Sequence, residues 1–160
     1  MKTASPFHLV SESGILSVDR YHSSFLPGLG ITEFHKFDLF PSARKVPVFP
    51  GTDKAFSIGP IKVNDETWFY INVGFSRGVL IIIGIGWGKL RHGFYELTAP
   101  EFAEQLQSYK AWLEAEIGPS MPSEEPVVYR NQLPWGRVEA SSDARTKLPG
   151  ISIRFHGCAE

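Results

Sequence analysis

The chain has 160 residues, 42% of them hydrophobic and 21% charged, with a formal net charge of -1; that size supports one hydrophobic core and a single domain, 1–160. The near-zero charge argues against a nucleic-acid partner, since phosphate neutralisation needs a basic surface. A single cysteine, Cys158, excludes an internal disulfide and fits the cytoplasm. No apolar run reaches the ~20 residues of a membrane helix, and Ser5, Pro6 and His8 interrupt the N-terminal stretch before it has signal length, so no membrane insertion is expected.

From Met1 to Gly30 the pattern is uneven. Residues 1–13 read as a looser lead-in, 14–18 as a strand and Pro27-Gly28 as a turn. In 31–40, Phe34, Phe37 and Phe40 recur at intervals of three between Glu33, Lys36 and Asp38; helix and strand templates both fit in part, and the short run between Gly30 and Pro41 favours a strand. Pro41, Pro47 and Pro50 rule out a regular internal strand or helix over 41–51 and predict an extended surface crossing. Strand character resumes over 55–63, broken at Gly59-Pro60, before a turn at Asn64-Asp65-Glu66.

The centre follows. Trp68, Tyr70 and Asn72 alternate with Phe69, Ile71 and Val73, which describes a strand with two unlike faces. Residues 78–85 are apolar on both faces, as expected of a central covered strand, and the short connection Phe75-Ser76-Arg77 makes the two an antiparallel hairpin. A further strand is predicted over 91–97. Next comes a helix, about 98–117: Thr98 with Glu101 has the capping-box form, Pro100 is tolerated in the first turn, and Gly118-Pro119 supplies the stop. Phe102, Leu106, Tyr109, Leu113 and Ile117 form its apolar stripe, with Trp112 beside it.

Prolines 119, 122, 126, 134 and 149 divide the C-terminal segment, about 119–160, into a loop over 118–125, short strands over 126–130 and 150–156, and a polar surface loop over 141–147. Together these predict an α+β domain: an antiparallel meander sheet of about four to six strands, one main amphipathic helix on one face, and a Pro-rich tail on the same core.

Sites of chemistry are scarce. Gly84-Ile85-Gly86-Trp87-Gly88-Lys89 invites a phosphate-loop reading, but Ile83 stands where a Walker loop needs its first glycine, Leu90 follows the lysine, and the run leads to strand-like sequence rather than a helix. A glycine-permitted bulge and turn exposing Trp87 is expected instead. The histidines 8, 22, 35, 92 and 156 make no i, i+4 pair, and His156 with Cys158 is one His-x-Cys pair near a chain end, so no metal and no cofactor is expected. There is no Gly-x-Ser-x-Gly elbow, and Cys158 is poorly placed for a nucleophile. Glu101 and Glu104 share a helix face but are explained by capping and solvation; Glu114, Glu116, Glu124 and Glu125 bias the helix end negative.

What remains is aromatic. Trp87, Trp112 and Trp135, with Arg91, His92 and Arg137 nearby, have the composition of protein-interface anchors and form the candidate partner-binding set. Elimination and analogy of type then imply a non-catalytic protein-binding protein of the bacterial inhibitor or immunity type, which neutralises a toxin or enzyme by occluding its active surface. Two alternatives stand beside it: a small-molecule binder or enzyme with a pocket between sheet and helix using His92, Arg91 and Tyr95, and an assembly subunit with a self-complementary apolar patch.

Overall fold

The computed structural model describes residues 5–89, 98–142 and 148–156. Its centre is the predicted hairpin, strand β6 (Thr67–Ser76) with β7 (Val79–Lys89). Phe69, Ile71 and Val73 are buried on one face while Tyr70 and Asn72 look the other way, as the alternation requires. The two-residue turn is Arg77-Gly78, one position later than expected, with φ of 52° and 79°. Positive φ at both positions suits the right-handed twist of the strands, and the Asp53 carboxylate accepts from the Arg77 N–H at 2.9 Å.

Five more strands extend the pair: β4 (Ala43–Val46), β5 (Lys54–Lys62), β8 (Val127–Leu133), β9 (Gly136–Ser142) and β10 (Pro149–Phe155). They form a seven-stranded antiparallel sheet in the order β4-β5-β6-β7-β10-β9-β8. A second sheet joins β1 (Phe7–Leu9), β2 (Leu16–Val18) and β3 (Ser24–Phe25). The domain is thus α+β, with more strands than the meander predicted. From residue 7 to residue 25 the chain is a layer of the core rather than a loose lead-in: Phe7, Leu16 and Phe25 are fully buried.

Helix α2 (Ala99–Glu116) packs on the same inner face through Leu106, Tyr109 and Leu113, with Phe102 and Ile117 half-buried at the ends of the stripe. The capping box is present: the Thr98 side chain accepts from the Glu101 N–H, and the Glu101 carboxylate accepts from the Thr98 N–H.

Three segments depart from the sequence reading. Residues 31–40 are not a strand but the short helix α1 (Ile31–Phe34), turns, and the start of a 3₁₀ turn, Phe40–Ser42. A strand would put Phe34 and Phe37 on opposite faces, whereas a three-residue turn brings rings at that spacing together: Phe34 lies 5.9 Å from Phe37 and 5.4 Å from Phe40. β4 fits between Pro41 and Pro47 because it is an edge strand that the prolines bound without interrupting. β9 escapes a simple reading because its outward residues Arg137, Glu139 and Ser141 resemble a loop, while inward Val138 and Ala140 are small. The strand expected over 91–97 lies outside the described residues, as does most of the loop expected over 141–147; Ser141 and Ser142 belong to β9.

Between the N-terminal layer and α1, Asp38 receives the Ser23 hydroxyl at 2.5 Å and the His22 backbone N–H at 2.7 Å. The Ser23 bond is the main reason its carboxyl is held below the usual aspartate value. A lowered folded pKa adds stability above the unfolded value near pH 3.8, and that stability is lost as pH falls through the folded pKa. Asp38→Asn should therefore flatten the loss of stability below about pH 4, read by urea unfolding at a series of acidic pH values.

Candidate functional site

The inner face of the large sheet is filled, and the outer face is open. Along β7, Gly84 and Gly86 alternate with Ile85 and Trp87, so the glycines strip the outward side of the strand of side chains while Ile85 and Trp87 enter the core. The strand pairings carry one row across all seven strands: Arg44, Ser57, Asn72, Gly84, Ser152, Glu139 and Arg130. Apart from the glycine, every member is polar or charged.

Above this row lies a groove of about 770 Å³, lined by Arg44, Ser57, Tyr70, Asn72, Gly84 and Ser152 and walled by the segment 46–50. That segment is held by a glycine: a Cβ on Gly74 would fall 2.6 Å from Thr52 Cγ2 and 3.0 Å from Phe49 Cδ2, so any larger residue would lift the wall. The Tyr70 ring lies over Gly86, and its hydroxyl donates to the Pro149 carbonyl at 3.2 Å. At Gly84 a Cβ would meet Asn72 Cβ at 3.8 Å, an ordinary van der Waals contact, so the floor there accepts a side chain without a clash.

Charge is divided between the two sides of the molecule. Glu139 on the outer face accepts from Arg130 Nε at 3.1 Å and lies 3.5 Å from Arg137 Nε. Arg44 Nη1 donates to the Gly59 carbonyl at 3.1 Å, and Arg154 stands near Gly51. The outer face thus carries four arginines, of which Arg130 and Arg137 meet the Glu139 carboxylate while Arg44 lies at the opposite edge of the sheet. Arg137 and Arg154 are moreover directly paired across β9 and β10, an arrangement that costs folding energy. The far side carries the acidic helix, where Glu104 and Glu114 are exposed.

The residues expected to bind a partner separate in space. Trp87 is 2% exposed and packs against Tyr109, Trp112 and Phe7 with ring centroids 4.5, 5.2 and 5.9 Å away. The glycine-rich run is a strand, not a turn that exposes it, because it pairs along its length with β6 and in part with β10. Trp112 is half-buried against it. Trp135, in the tight connection from β8 to β9, is 9% exposed and donates Nε1–H to the Ser11 carbonyl at 2.7 Å. Neither Trp87 nor Trp135 is a surface anchor. Arg137 does reach the outer face; Arg91, His92, Tyr95 and Cys158 lie outside the described residues. His35 is exposed beside Phe40, at 4.5 Å, away from the groove. Arg44, Arg130, Arg154 and Asn72 were not singled out by sequence, although the alternation of Ser152 and Arg154 with Ile151 and Ile153 marks one side of β10 as polar.

Between sheet and helix, the described residues form a hydrogen-bonded seal. The Tyr109 hydroxyl donates to the Trp87 carbonyl at 2.7 Å and accepts from the Trp87 N–H at 2.9 Å, and the Gln105 amide also donates to that carbonyl. These side chains satisfy β7 beyond Ile85, where its pairing with β10 ends. Burial holds the phenol well above the usual tyrosine pKa, so it stays a donor. Tyr109→Phe leaves a buried N–H unpaired and should cost about 2 kcal/mol by denaturant titration. Among the described residues no three His, Cys, Asp or Glu side chains converge to hold a metal, and no helix is long and apolar enough to cross a membrane.

No protein-family model matches the chain, and no curated protein shows significant sequence similarity to it. Its fold is similar to that of a chain in a solved structure described as "Rhs1-CT in complex with cognate immunity protein RhsI1", with a TM-score of 0.53 and 12% identity over 95% of this chain and 88% of that one. At that identity the likeness is one of fold.

Proposed function

We propose that the chain is a non-catalytic, protein-binding protein of the immunity type, which neutralises a toxin or enzyme in the cytoplasm by covering its active surface. The observation that carries this reading is the fold likeness, over 95% of the chain, to a chain from a complex whose description names a cognate immunity protein. The open outer face supports it, because a broad polar sheet surface with arginines is the kind of surface that docks on another protein. The test is to express the product of the gene beside this one in its native genome, with and without this chain. The expected outcome is growth arrest by the neighbour alone, relief on co-expression, and a complex of the two on size exclusion. Arrest caused by this chain itself would overturn the reading.

One observation favours a second reading. The groove volume of about 770 Å³ falls in the range of small-molecule pockets. Such a site would lie on the outer face; among the described residues, Leu106, Tyr109 and Leu113 are buried between sheet and helix. A fragment screen by ligand-observed NMR, repeated with Gly84→Leu to block the floor, tests it: hits lost in the variant favour a ligand binder.

A further inference from the structure

We propose that the partner places an acidic loop, carrying at least two carboxylates, on the outer sheet face along the row from Arg44 to Arg130. This rests on the immunity-type reading and adds to it the docking face and the chemistry of the docked segment.

Three observations converge. First, adjacent strands stand ~4.8 Å apart, so the six steps from Arg44 to Arg130 span roughly 29 Å, about the width of a standard protein interface. Second, the face keeps Arg137 directly opposite Arg154, and Glu139 meets only one of that pair. A like-charge pair held against its folding cost is relieved when a carboxylate arrives between the two forks, each of which can bind it bidentately. Third, the row between Arg44 and Glu139 is Ser57, Asn72, Gly84 and Ser152, uncharged residues of which three are small, so the side chain of an incoming Asp or Glu can lie along it.

Nucleic acid fits this face less well. Glu139 stands within the cationic row, where it would meet phosphates, whereas in a protein interface it orients Arg130 and Arg137. The helix side is acidic and would repel the same loop, which gives the complex one orientation.

The experiment measures binding of the neighbouring gene product by calorimetry, using the full chain and two double variants whose melting temperatures are checked first. Arg44→Glu with Arg154→Glu should weaken binding by about 100-fold, and raising salt from about 50 to about 300 mM should weaken the native complex by about 10-fold. Glu104→Lys with Glu114→Lys, on the helix side, should stay within about 3-fold. Gly84→Leu, which fills the floor and leaves every charge in place, should also weaken binding. Should the charge reversal destabilise the chain, Arg154→Gln and Gly84→Leu carry the same test. Loss of binding in the helix-side variant with retention in the outer-face variants would overturn the docking proposal and leave the immunity-type reading intact. If the native chain neither binds nor protects, both fall. Binding of a fluorescent DNA duplex by the native chain, lost in the Arg44→Glu, Arg154→Glu variant, would overturn the proposal in favour of a nucleic-acid face.

Discussion

Replacing Phe34 with alanine should lower the unfolding free energy by about 3–5 kcal/mol, a large share of the roughly 5–15 kcal/mol that holds a typical domain folded. Phe34 is fully buried, and its ring lies within 5.2–6.3 Å of the rings of Phe25, Phe37, Phe40, Phe56 and Phe75. It is the point at which the N-terminal layer, α1 and the large sheet meet. Truncation removes a large apolar surface and leaves a cavity lined by rigid rings, which collapse poorly onto the void. Phe34→Leu should recover part of the loss, because it restores volume but not the edge-on ring contacts. Urea denaturation followed by tryptophan fluorescence measures both.

Trp135→Ala should cost a similar amount, about 3–5 kcal/mol, and this change separates two roles that sequence alone could not. As a partner anchor, Trp135 would be lost from the complex with little change in stability. In the structure it fastens the β8–β9 connection to the N-terminal layer: Nε1 donates to Ser11, the ring lies 6.0 Å from Phe155, and a Cβ on Gly14 would fall 2.5 Å from Trp135 Cδ2. Gly14 has φ of 77°, so glycine is favoured there twice over, by conformation and by the ring above it. Trp135→Phe should cost less than Trp135→Ala, since it keeps most of the ring burial and loses the bond to Ser11. Unchanged stability in Trp135→Ala, with loss of partner binding, would return this residue to the surface role.

The parts of the fold written in local pattern were legible. The α2 boundaries follow from Thr98, Glu101 and Gly118, whose effects act over one turn of backbone, and the β6–β7 hairpin follows from a period-two alternation. Segments that depend on long-range contacts were not. Phe34, Phe37 and Phe40 fit two templates, and their ring contacts within the core mark the turn-like answer. The candidate site is harder still, because its row is assembled from seven strands far apart in sequence, and Arg44 meets Ser57 only once a register is set. The glycines of β7 were misleading: without the sheet order, Gly84 and Gly86 look like a turn exposing Trp87, whereas in the fold Gly84 lines the groove and Gly86 lies under the Tyr70 ring. Tryptophan content likewise pointed to surface anchors, yet the same aromatic area that suits an interface suits a core between a sheet and a helix.

The most direct measurement is co-expression of this chain with the neighbouring gene product, scored by cell growth and by the stoichiometry of the purified complex. Protection from growth arrest together with a stable complex of defined stoichiometry is the expected result. Protection without a complex, a complex without protection, or arrest by this chain alone would contradict neutralisation by binding.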